Sequence, residues 1–335
     1  MKSLRVNENS NLAFLMGSPR SGTTWLAKIV DSHPAVLYRH EPDSINIRTD
    51  IPFVPKSRAV EPWLDSARIY LEVLQGERAS KSSGSQPVFD KSYRGRLGNF
   101  IRRGLVYLVK GGERLFGSSS FLTRLQIPDL VQPQNASGRL LFIKSVSSLC
   151  RTYMFSRACP EAKFLHIVRH PCAYVASTMR GKKLGLLSDD AYIETLAGMA
   201  GAGDYGLSME TLRAMTREEQ LAARWMLQNE KVALEMDGNS RYKRVIYEEL
   251  CSHPQAVVDD LFDFLGLEMS DQTRKFVEQS SAGKSEDVRY FDVQRDSARA
   301  ATGWMAELSD DQIDRIRRVV SNSMLGRVYF PEESP

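Results

Sequence analysis

Residues 17–24, GSPRSGTT, gather two glycines, several hydroxyls and the guanidinium of Arg20 between an apolar run and a helical pattern. Glycines let backbone N–H groups converge, and a helix opening there adds partial positive charge, so such a turn suits an anion, above all a phosphate. Thr23 and Thr24 add hydroxyl donors. Two more cations close other apolar runs: Lys144 ends LLFIK and Arg169 ends KFLHIVR. Ligands of open parallel sheets bind at the carboxyl ends of strands, so charges at these positions belong with the same anion. Pro171 then turns the chain into a helix whose own N-terminus favours anions, and Ser177 follows Arg169 by eight residues. A tight glycine turn without ligand and a surface arginine–carboxylate pair are the plainer readings. The coincidence of glycines, hydroxyls and charge favours the anion site.

The spacing of the loop matches the Walker A pattern G-x-x-x-x-G-[KT]-[ST], but Thr23 stands where the nucleotide-binding lysine belongs. The positive side chain comes three residues earlier, as Arg20. A P-loop kinase uses that lysine on the β- and γ-phosphates, and an aspartate at a later strand end helps to hold magnesium. Lys144 and Arg169 at the strand ends suit direct contact with an anion and suit a metal poorly. The expectation is a nucleotide without a triphosphate–magnesium unit, and no metal.

At this point the residues resemble the sulfotransferases that use 3′-phosphoadenosine 5′-phosphosulfate (PAPS). GSPRSGTTWL is similar to their 5′-phosphosulfate loop, in the arginine version found in carbohydrate and tyrosyl-protein sulfotransferases. FLHIVRHPCAYVAST at 164–178 resembles their 3′-phosphate motif, carried by Arg169 and Ser177. RVIYEEL at 244–250 is a weaker match to a strand ending in a Tyr-Glu pair, which brings Tyr247 to the cofactor. The resemblance covers about 11–50 and 140–265, with a looser match at the C-terminus. His170 departs from the family, which often has an acid there.

The resemblance implies a P-loop-like three-layer α/β/α fold with a central parallel sheet and a helical insertion. It implies PAPS as donor and 3′,5′-bisphosphate (PAP) as product. Arg20, Ser21, Gly22, Thr23, Thr24 and Trp25 would then hold the 5′-phosphate side, and Arg169 and Ser177 the 3′-phosphate. Lys144 resembles a lysine that touches the transferring group in tyrosyl-protein sulfotransferases. By analogy with phosphoryl transfer the protein supplies alignment, charge stabilisation and a base, and the scheme requires no metal. Glu41 lies 21 residues after Arg20 within a Glu-Pro pair, the place of the general base in the carbohydrate and tyrosyl-protein branches. His40 is the runner-up, with the better intrinsic pKa for the task, and Asp43 stands in the same stretch. The implied acceptor is a hydroxyl of a glycan or glycolipid; a phenol, an amine or tyrosine is the alternative. In the C-terminal stretch Arg289, Arg295 and Arg299 precede Gly303-Trp304, where related enzymes fold a basic loop over the cofactor.

These residues need a frame that brings strand ends together. Residues 11–17 read as a buried strand, 23–32 as a helix stopped by His33-Pro34, and 35–39 as a second strand, the start of a βαβ unit. Residues 45–138 break the alternation and read as an insertion, partly helical, that shapes the acceptor site. Within it Leu97, Ile101, Leu105 and Leu108 recur at helical spacing, a stripe expected to pack on its own domain. Strands return at 140–144, 163–169 and 242–248, with helices at 149–157 and from Pro171 to about 179. Thr216 and Glu219 fit a capping box opening a helix through 236. Val257, Val258, Leu261, Phe262 and Leu265 line a helix closed by Gly266, and a last helix from Ser309 turns Ile313, Ile316, Val319 and Val320 inward. The whole chain reads as one α/β domain, with 268–335 covering the cofactor site.

With 335 residues, 42% apolar and 26% charged, the composition is that of a globular protein with a sizeable core. Collagen-like, disordered and disulfide-scaffold readings are out. No apolar run near the start approaches the ~20 residues of a membrane span. The four cysteines, 150, 159, 172 and 251, form no C-x-x-C pair, which points to a reducing compartment, the cytoplasm by default. The expectation is a soluble bacterial enzyme, since animal carbohydrate enzymes of this type carry a membrane anchor. Net charge is only +4, yet residues 91–124 hold eight Lys or Arg against the single acid Glu113. That excess suggests an anionic partner for the segment, with a solvated basic helix as the plainer reading; no specific nucleic acid is implied. Two rivals from other classes are a P-loop kinase and a non-catalytic nucleotide- or polyanion-binding protein.

Overall fold

The computed structural model describes residues 11–56, 59–116, 120–132, 138–183, 193–199, 201–281 and 297–331. Five parallel strands form its centre: β1 (Asn11–Gly17), β2 (Val36–His40), β3 (Leu140–Ser145), β4 (Lys163–Val168) and β5 (Tyr242–Ile246). Their order across the sheet is β2-β3-β1-β4-β5. β1 runs from Asn11 opposite Leu140 to Met16 opposite Ser145, and on its other side pairs Gly17 with Ile167. Strands flanked by helices on both faces must be apolar on both faces, and β1 is buried from Leu12 to Gly17.

Alternation sorts these residues into two cores. Ala13 and Leu15 pack with Leu26, Ile29 and Val30 of the Thr23–Asp31 helix and with Val258, Leu261, Phe262 and Leu265 of the Pro254–Leu265 helix. Leu12, Phe14 and Met16 face the Leu64–Gly76 and Thr152–Ala158 helices and the C-terminal end of the Arg217–Glu235 helix. A third cluster joins that long helix to the Pro171–Lys183 and Asp310–Val320 helices around Trp225, Tyr174, Ile316 and Val320. The expected α/β/α arrangement is therefore present. The Thr216 cap is also present: its N–H donates to Glu219 Oε2 at 2.8 Å, the return half of a capping box.

The chain adds β2 and β3 on one side of β1 and β4 and β5 on the other. This reversal opens a crevice at the carboxyl ends of the strands, where Gly17, His40, Lys144 and Val168 terminate or nearly terminate their strands.

Helices at Leu64–Gly76, Ser80–Ser83, Gly95–Phe116 and Ser120–Arg124 lie between β2 and β3. A buried fork anchors this stretch: Arg39 of β2 donates to both Asp129 carboxylate oxygens at 2.9 and 2.7 Å, and Arg78 adds a bond at 3.0 Å. Two expectations differ from the structure. The Leu97–Leu108 stripe does not pack on its own domain: Leu97, Ile101 and Leu108 are exposed, and Arg102, Val106 and Val109 take the inner face. The inner contact is polar because Arg102 donates to the Pro128 carbonyl and to Ser83. The last strand ends at Ile246, and Tyr247 and Glu248 open the Tyr247–Ser252 helix instead.

Candidate active site

The 17–24 loop is shaped by close approach. A Cβ on Gly17 would meet Ile167 Cγ2 and Thr23 Cγ2 at 2.7 Å, and one on Gly22 would meet the Tyr247 ring at 2.3 Å. Gly22 takes φ +83°, and Arg20 takes φ 71° although it is no glycine. Left-handed backbone at a side-chain-bearing residue costs about 1–2 kcal/mol and gathers at functional sites. Gly22 is the N-cap of the Thr23–Asp31 helix and offers no side-chain cap, so its first amides point into the crevice end of the sheet. Trp25 seals the other side, its Nε1 donating to Ser280 Oγ at 3.0 Å and its ring edge-on to Tyr247.

The second motif meets the first directly. Arg20 Nε donates to Ser177 Oγ at 3.0 Å, and Arg169 Nη1 donates to the Arg20 carbonyl at 2.9 Å. Arg169 also donates to the Ala300 carbonyl, and its guanidinium sits 4.7 Å from the centre of the Tyr247 ring. Trp225 Nε1 holds the Arg169 carbonyl at 2.9 Å. Arg20, Ser21, Gly22, Thr23, Thr24, Trp25, Arg169, Ser177 and Tyr247 thus form one neighbourhood around the ends of β1 and β4.

Two buried donors in it have no partner among the described residues, Ser21 Oγ and Arg169 Nε. An unsatisfied buried polar group costs about 1–3 kcal/mol. Oxygens of an anion would satisfy both, so these residues could hold phosphate groups. His170, where related proteins often have an acid, has its N–H on Glu248 Oε1 at 2.9 Å and its ring stacked 4.5 Å from Trp304. Burial, with the Arg169 charge beside it, lowers His170 to about 4. Burial pushes the Glu248 carboxyl up.

At the ends of β2 and β3 the candidate base and the candidate lysine form an ion pair, Lys144 Nζ on Glu41 Oε1. The backbone locks the pair, because the Glu41 N–H donates to the Lys144 carbonyl at 2.8 Å. Glu41 takes φ 46°, the second side-chain-bearing residue of the site in the left-handed region. The Lys144 side chain is 2% exposed and that of Glu41 21%, so the carboxylate is the more exposed partner. Burial raises the Glu41 carboxyl, but the charge and hydrogen bond of Lys144, with smaller contributions from His40 and Lys81, together outweigh it and the net shift is downward. Burial, with Lys144 close by, lowers His40 to about 3, and Tyr38 Oη contacts its Nδ1 at 2.8 Å. His40 is therefore neutral near pH 7.

Asp43 plays a different part. Its Oδ2 accepts from Ser145 Oγ and from Ser148 Oγ at 2.8 Å, tying the 42–44 turn to the chain after β3. Burial raises its carboxyl. Sequence reading missed this link, as well as Ser280, Glu248 and Asn229, whose Nδ2 donates to Ser18 Oγ at 3.2 Å. All four are contacts between distant segments, and only Glu248 had a local signal, its place in the Tyr-Glu pair. Arg289 and Arg295 lie outside the described residues. Arg299 belongs to the Ser297–Thr302 helix, its side chain likewise outside the description. A groove of about 1200 Å³ runs beside β2, lined by residues that include Leu37, Arg39, Ile69 and Asp129. Arg20, Glu41, Lys144 and Arg169 do not line it, so it is separate from the crevice.

Carbohydrate sulfotransferase 2 of Mus musculus is 26% identical over 202 residues, covering 52% of this chain and 36% of the relative. The Homo sapiens protein of that name is 24% identical over 194 residues with the same coverage. The chain thus spans about a third of the length of these curated relatives. Among solved structures, a sulfotransferase from Alicyclobacillus acidocaldarius matches with a TM-score of 0.45 and 15% identity, covering 97% of each chain. The family model described as "Sulfotransferase family" matches residues 13–271. That span takes in the 17–24 loop, Glu41, Lys144, Arg169, Ser177 and Tyr247, and with it the chain belongs to the sulfotransferase family.

Proposed function

We propose that this chain transfers a sulfuryl group from PAPS to a hydroxyl of a carbohydrate or glycolipid. The carrying observation is the Glu41–Lys144 ion pair at the ends of β2 and β3, across β1 from Arg169. A carboxylate and an ammonium at those strand ends support a base and a charge-stabilising group for the transfer. When bound, the donor supplies the sulfuryl group on a phosphosulfate whose phosphate is the leaving group.

Arg20 and the N–H groups of 21–25 hold the charge of the 5′-phosphate, a task for preorganised donors at a helix N-terminus. Arg169 and Ser177 hold the 3′-phosphate, and Tyr247 braces Arg169 and Gly22. Lys144 meets charge on the transferring group. Glu41 accepts the acceptor's proton as the new bond forms, general-base catalysis in the transition state. Its ionised state at neutral pH fits that role, and the neutral, weakly basic His40 fits it less well.

A carbohydrate acceptor is supported by the Glu-Pro pair and the arginine loop, and by the name of the two curated relatives. The 45–138 insertion shapes the acceptor side, and the 268–335 stretch closes over the nucleotide, as the Ala300–Arg169 bond supports. The test is calorimetry of PAP against AMP. A phosphate held by an arginine and a hydroxyl contributes roughly 2–4 kcal/mol on the scale of charge-assisted bonds, so PAP binds far more tightly. Equal affinity for the two nucleotides would remove the 3′-phosphate assignment.

A further inference from the structure

The Gly95–Phe116 helix is amphipathic the wrong way round for a helix packed on its own domain. Its inner face is Arg102, Val106 and Val109, while Leu97, Phe100, Leu108 and Leu115 are 70–80% exposed. Ile101 and Phe116 are exposed beside them. Leu97, Ile101, Leu108 and Leu115 fall on one stripe at helical spacing. Gly104 and Gly111 lie on that stripe too, and a Cβ on either would meet nothing within 4 Å. Phe121 of the following Ser120–Arg124 helix is 74% exposed. Contiguous apolar surface of this kind marks an interaction site.

Charge selects the partner. Arg96, Arg103 and Arg114 are exposed along one edge of the stripe; Arg103 is paired with the exposed Asp90 at 2.8 Å and Arg114 donates to Gln86 Oε1 at 3.4 Å, contacts that headgroup phosphates would replace. The helix's sole acid, Glu113, is turned to Ser80 and Lys110. We propose that this face docks on the surface of an anionic lipid bilayer, with the apolar stripe at the acyl boundary and the arginines on headgroup phosphates. A second copy suits the face poorly. A symmetric contact sets the same surface against itself; the helix itself presents no exposed acid to meet the partner's arginines, and Asp90, the exposed acid beside them, is already engaged by Arg103. The helix lies along the bilayer: no described helix is long and apolar enough to cross it. The proposal does not depend on the transfer reaction.

The test is co-sedimentation of the full chain with phosphatidylcholine vesicles, with and without phosphatidylserine, read beside light scattering of the free protein. The expected result is binding at least about tenfold stronger to the phosphatidylserine vesicles, weakened by salt, as three basic side chains at an anionic surface require. Leu97→Glu with Leu108→Glu should abolish binding without changing the melting temperature, since both side chains are exposed. Arg96→Gln, Arg103→Gln and Arg114→Gln together should remove the preference for phosphatidylserine. Absence of binding to phosphatidylserine vesicles at low salt overturns the proposal. So does equal binding to both vesicles, or a dimer in free solution that Leu97→Glu with Leu108→Glu dissolves.

Discussion

Glu41 carries the chemistry in this account, and its surroundings make the role testable. Glu41→Gln keeps the shape and removes the proton acceptor, so turnover should fall by about 10²–10⁴, the range for loss of a general base. PAP binding should hardly change, because Glu41 faces the acceptor; calorimetry on the same variant checks this. His40→Ala should cost much less, and a loss as large as that of Glu41→Gln, in a folded protein, moves the base to the histidine. The pH profile has a sign as well. Lys144 holds the Glu41 carboxyl below its ordinary value, and a base works only when deprotonated. The acid limb of kcat/KM should therefore lie below the usual glutamate value of about 4.3, with activity falling as pH drops through it. These residues were legible because their types sit at fixed spacing in short motifs. Their charge states were not, since they depend on which distant side chain, Lys144 beside Glu41 or Arg169 beside His170, folding brings alongside.

Among the elements, the turn from β1 into its helix and the anchor of the insertion are the pieces most exposed to single changes. Gly22→Ala adds a methyl where the Tyr247 ring stands and leaves it at φ +83°. The loop must shift away from Tyr247, so PAP affinity should drop, with a stability loss of about 1–2 kcal/mol from the left-handed backbone; calorimetry and a urea titration read the two. Asp129→Asn leaves Arg39 buried without its counter-charge, and breaking one side of a buried pair costs about 3–5 kcal/mol. Burial raises the Asp129 carboxyl, but the charge and hydrogen bonds of Arg39, with Arg78 and Arg102, together bring it down to about 2. The pair's stabilisation is complete above the unfolded value of about 3.9 and fades as pH falls toward the folded one. Urea midpoints below pH 4 should drop in the wild type, and Asp129→Asn should flatten that part of the curve. The strands and their flanking helices were readable from apolar runs, caps and glycine stops. The inner face of the Gly95–Phe116 helix was not: apolar periodicity marks a stripe but not which side the domain takes, and here Arg102, bonded to Pro128 and Ser83, took the inside.

Over the whole molecule, five parallel strands bring to one edge residues far apart in the chain, as in the bond from Arg169 to the Arg20 carbonyl, 149 positions away. The order of the motifs foretold that edge, because strand ends in a parallel sheet converge where the strand order reverses. The acceptor was not legible in the same way, because the insertion carries no motif whose residue types and spacing name a ligand. Membership of the sulfotransferase family makes the reaction itself the decisive measurement. Wild type and Glu41→Gln are incubated with PAPS labelled in its sulfate and a panel of glycans, glycolipids and phenols, and products are read by mass spectrometry. The account predicts labelled glycan or glycolipid from the wild type, and a rate lower by about 10²–10⁴ from Glu41→Gln, as for other general bases, with PAP binding retained. Label on no acceptor from a wild type that binds PAP, or a Glu41→Gln variant that keeps more than about half of wild-type turnover, far above the range for a lost general base, would contradict it.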